Sequence, residues 1–248
     1  MSVEWQAPAI VLSARPHGEA AALVTLLTEA FGRHAGLAKG GASRAQAAIW
    51  QAGNLVEARW LARLPEQLGA LSGDLVHPTA ALAMEDPLAL AVLSSATALA
   101  EAALPEREAH PLVFKGLVSI LARLSQGPDA VLADVVRWEA RLLADLGYGL
   151  DLSACAVTQA TQDLTHVSPK SGRAVSMRAA IHYLDRLLVL PPFLLHVEDQ
   201  GEAQDWLAGF RLTGHFLDKH LFATTHRSLP DARVRLQDRL AAIVEGGG

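Results

Sequence analysis

The chain has 248 residues, 51% of them apolar and 19% charged, with a mean hydropathy of +0.22, enough apolar material for one large core or two smaller ones. Disorder is thereby excluded as its main state, and the single cysteine, Cys155, excludes an internal disulfide framework and any all-cysteine metal site within one chain. The 21 basic and 26 acidic side chains leave a net charge of −5, so any anionic partner must meet a local patch rather than bulk positive charge.

The first 80 residues read as short strands. Ala9 to Ser13 is an apolar run closed by Pro16-His17-Gly18, and Leu23 to Thr28 is a second run closed by Gly32. The alanine-rich stretch Glu19 to Phe31 also permits a helix, and periodicity does not choose between the two. From Asn54 to Arg63 the pattern alternates, with Val56, Ala58, Trp60 and Ala62 on one face and Glu57, Arg59 and Arg63 on the other, as in a half-buried strand. A last candidate, Leu68 to Val76, carries Gly69 and Gly73, suited to a sharply curved strand. Four or five such strands predict a small closed barrel over residues 1–79.

After Pro78 the period becomes helical. Ala80 to Ala103 is rich in alanine and leucine, Pro105 and Pro111 frame a linker, and Val113, Leu117, Ile120, Leu121 and Leu124 recur three to four residues apart, opposite Lys115, Ser119 and Arg123. Gln126-Gly127-Pro128 breaks the pattern and Asp129 caps the next helix, with Leu132, Val135, Val136, Leu142, Leu143 and Leu146 inward and Asp134, Arg137, Arg141 and Asp145 outward. Residues 149–176 lose periodicity and form a loop-rich insert. Two further helices are expected over Glu202 to Thr224 and Asp231 to Val244, before a frayed glycine tail at 246–248. The fold class is therefore α+β and multidomain, with a barrel over 1–79 and a mainly helical domain over 80–248.

Charge is uneven. Residues 1–80 hold six basic and six acidic side chains, and the whole acidic excess lies beyond them. Arginine outnumbers lysine 17 to 4, which favours bidentate contacts to phosphate or carboxylate, although codon usage alone gives the same bias. The P-loop, the Rossmann glycine fingerprint, G-x-S-x-G and H-E-x-x-H are all absent, and Lys170-Ser171-Gly172 lacks the S-x-x-K partner that a penicillin-binding site requires. His215, His220 and His226 are spaced by five and six, which does not suit metal ligands on one helical face. No catalytic residue, metal site or cofactor is predicted, and the chain is read as a non-enzyme. No run of about 18 uncharged apolar residues appears, and Glu4 and Pro8 disrupt the opening where a signal peptide is basic and then apolar, so a cytoplasmic protein without a membrane partner is expected.

The most informative segment is Gly36-Leu37-Ala38-Lys39-Gly40-Gly41-Ala42-Ser43-Arg44. Paired glycines bare backbone N–H groups between two cations, an arrangement suited to phosphate; the plainer reading is a flexible turn kept in solution by its charges.

Here a resemblance adds to the residues. Ile10-Val11-Leu12, Gly18-Glu19, Leu26-Leu27-Thr28, Gly32-Arg33 and Lys39-Gly40-Gly41-x-x-Arg44 are similar to the opening of the RecO family of bacterial DNA repair proteins. The resemblance continues through Leu142-Leu143-x-x-Leu146-Gly147-Tyr148, Leu152-x-x-Cys155-Ala156-Val157-Thr158 and Val167-Ser168-Pro169-Lys170-Ser171-Gly172-Arg173-Ala174-Val175-Ser176. It implies an N-terminal OB-fold and a helical domain, action in the cytoplasm on the nucleoid, binding of single- and double-stranded DNA, annealing of complementary strands, and partnership with RecR and with the C-terminal tail of single-strand-binding protein. Many relatives with this layout carry a four-cysteine zinc site in the insert. Here Thr158 stands where a C-x-x-C pair would close, and the second pair is replaced by Ser171 to Ser176, so no zinc is expected.

The DNA-binding residues expected on the barrel are Arg15, Arg33, Lys39, Gly40, Gly41, Arg44 and Arg59. Aromatics are few and Trp60 belongs to an inward set, so phosphate contacts rather than base stacking should dominate. Lys115, Arg123, Arg137 and Arg141 flank apolar helix faces and are candidates for holding the acidic, apolar tail, against the plainer reading of solvated helix surfaces. The reading is a mediator of homologous recombination and DNA damage repair that helps load recombinase. The alternative is a protein-interaction module with little DNA binding of its own. The insert is expected to be held by Asp151, Ser153, Thr158, Ser168 and Ser171 and by packing of Leu150, Leu152, Val157 and Val167.

Overall fold

A computed structural model describes residues 3–41, 43–64 and 66–246, with backbone alone at 44 and 45. Residues 247 and 248 of the expected tail lie outside it. Five strands, β1 (Val3–His17), β2 (Ala21–Thr28), β3 (Gly32–Ala38), β4 (Leu55–Ala62) and β5 (Gly69–His77), close into a barrel in the order β1-β2-β3-β5-β4. All neighbours are antiparallel except β3 and β5. The N-terminal half of β1 pairs with β4 and the C-terminal half with β2. The register shifts between Val11 and Ser13, where the long strand passes from one partner to the other.

Alternation works as expected on β4, where Val56, Ala58, Trp60 and Ala62 are buried and join Trp5, Val24 and Leu26 inside the barrel. The glycines on β5 have a further cause. A Cβ on Gly69 would stand 2.2 Å from the Trp60 ring, so that residue must lack a side chain for the indole to lie where it does. Trp60 also donates to the Ala35 carbonyl at 3.0 Å.

Between β3 and β4 the chain forms α1 (Arg44–Ile49), a six-residue helix not predicted from the sequence. Buried Asn54 fixes it: Nδ2 donates to the carbonyls of Ala48 and Ile49, while Oδ1 accepts from Ala80 N–H. The expected helix from Ala80 to Ala103 is two, α2 (Thr79–Ala83) and α3 (Pro87–Ala103). Asp86 breaks them and caps the second by accepting from Leu88 and Ala89 N–H. α4 (Pro111–Arg123) buries the predicted face.

The chain forms two compact units, Met1–Pro128 and Asp129–Gly248, so α2, α3 and α4 belong with the barrel. α3 packs on β1 and α4 on β2, which leaves β2 buried on both faces over Val24–Thr28. That double burial makes Glu19 to Phe31 read ambiguously: a strand covered on both sides loses its alternation.

The second unit holds α5 (Asp129–Asp145), α6 (Met177–Ala180), α7 (Ala203–Leu217) and α8 (Asp231–Gly246). α7 continues into a π turn at Asp218–Phe222 and a 3-10 turn at Ala223–Thr225 instead of running as one helix to Thr224. The loop-rich insert contains two short strands, β6 (Leu164–Val167) and β7 (Ala174–Ser176), which form a three-stranded sheet with β8 (Leu188–Val189). Val167 is buried as expected, whereas Val157 is 71% exposed. Leu146 is only half-buried. Fully buried in this unit are two charges, Glu139 on α5 and Arg233 on α8.

Candidate nucleic-acid interface

Lys39, Gly40 and Gly41 form a turn after β3, and Ser43 precedes α1. Gly36, Leu37 and Ala38, read from sequence as part of this turn, are strand residues, and the turn begins at Lys39. Gly40 has φ +71°, a left-handed conformation that suits glycine, and a Cβ there would meet nothing within 4 Å. Gly41 and Ser43 N–H donate back to the carbonyls of Ala38 and Gly40. Lys39 is exposed, and no ion pair among the described residues engages it.

Two clefts flank this turn and α1, with Trp50 in the wall of both. One, of about 520 Å³, is bordered by Ser13, Arg15, Gly41, Ala47 and Gln51. The other, about 500 Å³, is bordered by Gln6, Lys39, Gln46, Arg59 and Ser72, with Glu57 and Asp74 as opposing charges. The Arg15 side chain is 73% exposed and lies 3.7 Å from Glu101. Arg59 pairs with Glu4, which holds its guanidinium more firmly charged. The structure thus gathers Arg15, Lys39, Gly40, Gly41 and Arg59 around one turn. The Arg44 side chain lies outside the described residues.

Arg33 is placed elsewhere. It sits near the start of β3, about 20 Å along the strand from Lys39, and its Nε donates to the Leu104 carbonyl at 2.8 Å with Glu106 3.7 Å away. Arg33 clamps the end of α3 to the barrel and lines neither cleft. Gln6, Gln46, Gln51 and Ser72, which do line them, carry no motif and follow only from the closed topology.

The barrel's aromatics turn inward. Trp5 stacks between Phe31 and Trp60, with ring centroids 5.0 and 6.0 Å away, and His34 stands edge-on to both tryptophans. Burial, helped by Arg107, holds His34 below the usual imidazole range, so the ring is neutral at pH 7. Trp50 is 2% exposed. None of the three barrel tryptophans offers a face to a base.

Of the proposed partner contacts, Lys115 on α4 pairs with Glu29 on the barrel side of the first unit at 2.9 Å, and Arg123 is half-buried at the end of α4. In the second unit Arg137 is a structural clasp: it pairs with Asp134 at 2.6 Å, donates to the carbonyls of Phe193, His196, Val197 and Asp199, and covers the Phe193 ring. Arg141 is exposed. The two arginines border a groove of about 330 Å³ with Leu150, Leu152, Phe193 and Val197. Phe193 and Leu194 belong to Pro191-Pro192-Phe193-Leu194, a turn-forming apolar segment that periodicity passes over.

The insert's thiol is fully enclosed. Cys155 Sγ accepts from Ser176 N–H at 3.3 Å, the Ser176 hydroxyl at 3.4 Å and Thr158 N–H at 3.5 Å. Burial pushes the thiol up, but the bonds from Ser176 and Thr158 outweigh it and bring it down to about 6. Hydroxyls and amides, not thiolates, surround this sulfur. Among the described residues no three His, Cys, Asp or Glu side chains converge, and the donors around this sulfur do not fit a tetrahedral zinc. Asp151, bonded to Ser153 and paired with Arg173, ties the loop ends instead. Elemental analysis of folded protein is expected to give well under one zinc per chain, and chelator is expected to leave its melting temperature unchanged. A stoichiometric metal with a chelator-sensitive melt would contradict this.

The fold defines the class: an α+β chain opening with a five-stranded OB barrel and continuing into helices. Residues 1–79 match the family model described as Recombination protein O N terminal, and residues 84–230 match Recombination protein O C terminal. The chain is 56% identical over 244 residues to DNA repair protein RecO of Granulibacter bethesdensis, 54% over 248 to that of Gluconacetobacter diazotrophicus and 51% over 247 to that of Acidiphilium cryptum, each covering 98% of both chains. It belongs to the RecO family of DNA repair proteins. No described helix is long and apolar enough to cross a membrane.

Proposed function

We propose that the chain is a non-enzymatic mediator of recombinational repair in the cytoplasm. It holds single- and double-stranded DNA on the barrel, anneals complementary strands, and with RecR helps load recombinase onto strands covered by single-strand-binding protein. The observation that carries this reading is the Lys39-Gly40-Gly41 turn between two clefts, with Arg15 and Arg59 bordering one each. Cations at both sides of a glycine turn suit a phosphate chain and read no sequence. The chemistry is juxtaposition: no bond is made or broken. Fluorescence energy transfer between two labelled complementary strands tests it. The protein should raise the annealing rate and leave both strands intact; an unchanged rate would count against it.

The groove beside Arg141 supports a tail-binding role for the second unit, because an exposed guanidinium next to an apolar trough matches an acidic chain that ends in an aromatic residue. A peptide of that kind should bind the full chain, and Arg141→Glu should weaken it about tenfold or more, since a charge-assisted hydrogen bond contributes about 1.5–3 kcal/mol. Calorimetric titration reads both. Equal binding by wild type and variant would remove Arg141 from the role.

A further inference from the structure

Three aromatic rings in the second unit are stacked face to face from its core outward. Phe216 on α7 is 1% exposed. His220, four residues on and within the wide π turn, lies parallel to it at 6.1 Å and 8°, and Tyr148 lies parallel to His220 at 4.7 Å and 13°. Both rings therefore lie parallel to the same imidazole, which links the exposed Tyr148 to the buried Phe216. Burial, with Lys219 and His215 adding to it, lowers the His220 pKa, so the middle ring is neutral at pH 7 and stacks as a π surface.

The column ends at Tyr148, which is 41% exposed although His220 covers one of its faces. It stands between two glycines, and Gly147, at φ +88°, has open space where a side chain would begin, so no chain neighbour shields the ring. Polar side chains lie beside the column. Lys219 Nζ is 5.7 Å from the Phe216 ring and donates to the carbonyls of Pro169 and Lys170, and His215 Nε2 lies 3.1 Å from the same Pro169 oxygen. These bonds hold the Pro169–Gly172 turn, with its exposed Lys170, against the base of the stack.

We propose that the Tyr148–His220–Phe216 column is a stacking platform for an unpaired base of single-stranded DNA, with Lys170 beside it as a phosphate contact. This rests on the DNA-binding reading above and adds what the barrel lacks, because its tryptophans are buried. Base–aromatic stacking tolerates any sequence and needs a base released from a duplex. The platform therefore discriminates single strands from double strands, whereas the barrel's cations do not.

The test uses the full chain, fluorescence anisotropy, and three ligands of equal length: a thymidine strand, an abasic strand and a duplex. Tyr148→Ala is expected to weaken the thymidine strand about 5- to 150-fold, the span of one stacked base. Abasic-strand and duplex binding should stay unchanged, and Tyr148→Trp should restore affinity. A 2-aminopurine placed in the strand should be quenched by wild type and not by Tyr148→Ala. If wild type binds thymidine and abasic strands equally with ordinary salt dependence, the platform is overturned and the DNA reading stands; if it binds none of the three, both fall. A loss shared by all three ligands would make Tyr148 merely structural. An effect confined to acidic peptide binding would give the column to a protein partner; either result overturns the proposal.

Discussion

Arg233→Met is expected to cost the second unit about 3–5 kcal/mol, the usual penalty for stranding one charge of a buried pair. Arg233 and Glu139 are both 0% exposed. Arg233 Nε and Nη2 reach the two Glu139 oxygens at 2.5 and 3.0 Å, and Nη2 also donates to the Phe210 carbonyl at 2.7 Å. Thr213 Oγ1 donates to Glu139 at 2.5 Å, and the guanidinium lies 4.5 Å from the Phe210 ring. One charge pair thus joins α5, α7 and α8. Glu139→Gln should cost a similar amount, whereas Glu139→Leu with Arg233→Met removes both charges and should come out near neutral. Urea unfolding followed by circular dichroism measures all three. A loss below about 1 kcal/mol for either single change would refute the bridge's structural role.

Lys39→Glu with Arg59→Glu should weaken binding to every DNA sequence alike. Each phosphate contact releases counterions, and for single strands each contributes about −0.7 to the slope of log affinity against log salt. Losing two contacts should flatten the slope by about 1.4, and the added carboxylates should lower affinity about a hundredfold at low salt through repulsion. The fold should be untouched, because Lys39 and Arg59 are exposed and the Arg59–Glu4 pair is a surface pair of small value. Arg33→Glu should behave differently. It breaks the bond to Leu104 and registers in the melt, not in the salt slope.

What the sequence made legible follows from which forces act locally. Strand β4 was readable because water covers one face and the barrel core the other. The buried run of β2 was not separable from a helix, since α4 covers its outer face. α1 is six residues long, too short for a helical period, and is held by Asn54 from outside itself. The strands β6, β7 and β8 have two to four residues each, too few for a period, and β6 finds β8 only across more than twenty positions. At the candidate site the turn and its cations were visible as a motif. Sequence could not reveal that Arg33 would be spent on Leu104, nor Arg137 on four carbonyls, because those acceptors arrive from distant segments. The Glu139–Arg233 pair was equally hidden: each residue alone looks like an ordinary surface charge.

On the proposed function, this chain holds DNA through its barrel cations. The most direct measurement is a fluorescence-anisotropy titration of wild-type protein with a single-stranded oligonucleotide at about 50 and 200 mM salt. Three described cations, Arg15, Lys39 and Arg59, give a slope near −2.1, so affinity should fall about 20-fold across that fourfold rise in salt. The Lys39→Glu, Arg59→Glu protein should show about a threefold fall from an already weaker start. No binding at the lower salt, or binding indifferent to salt in the wild type, would contradict the account.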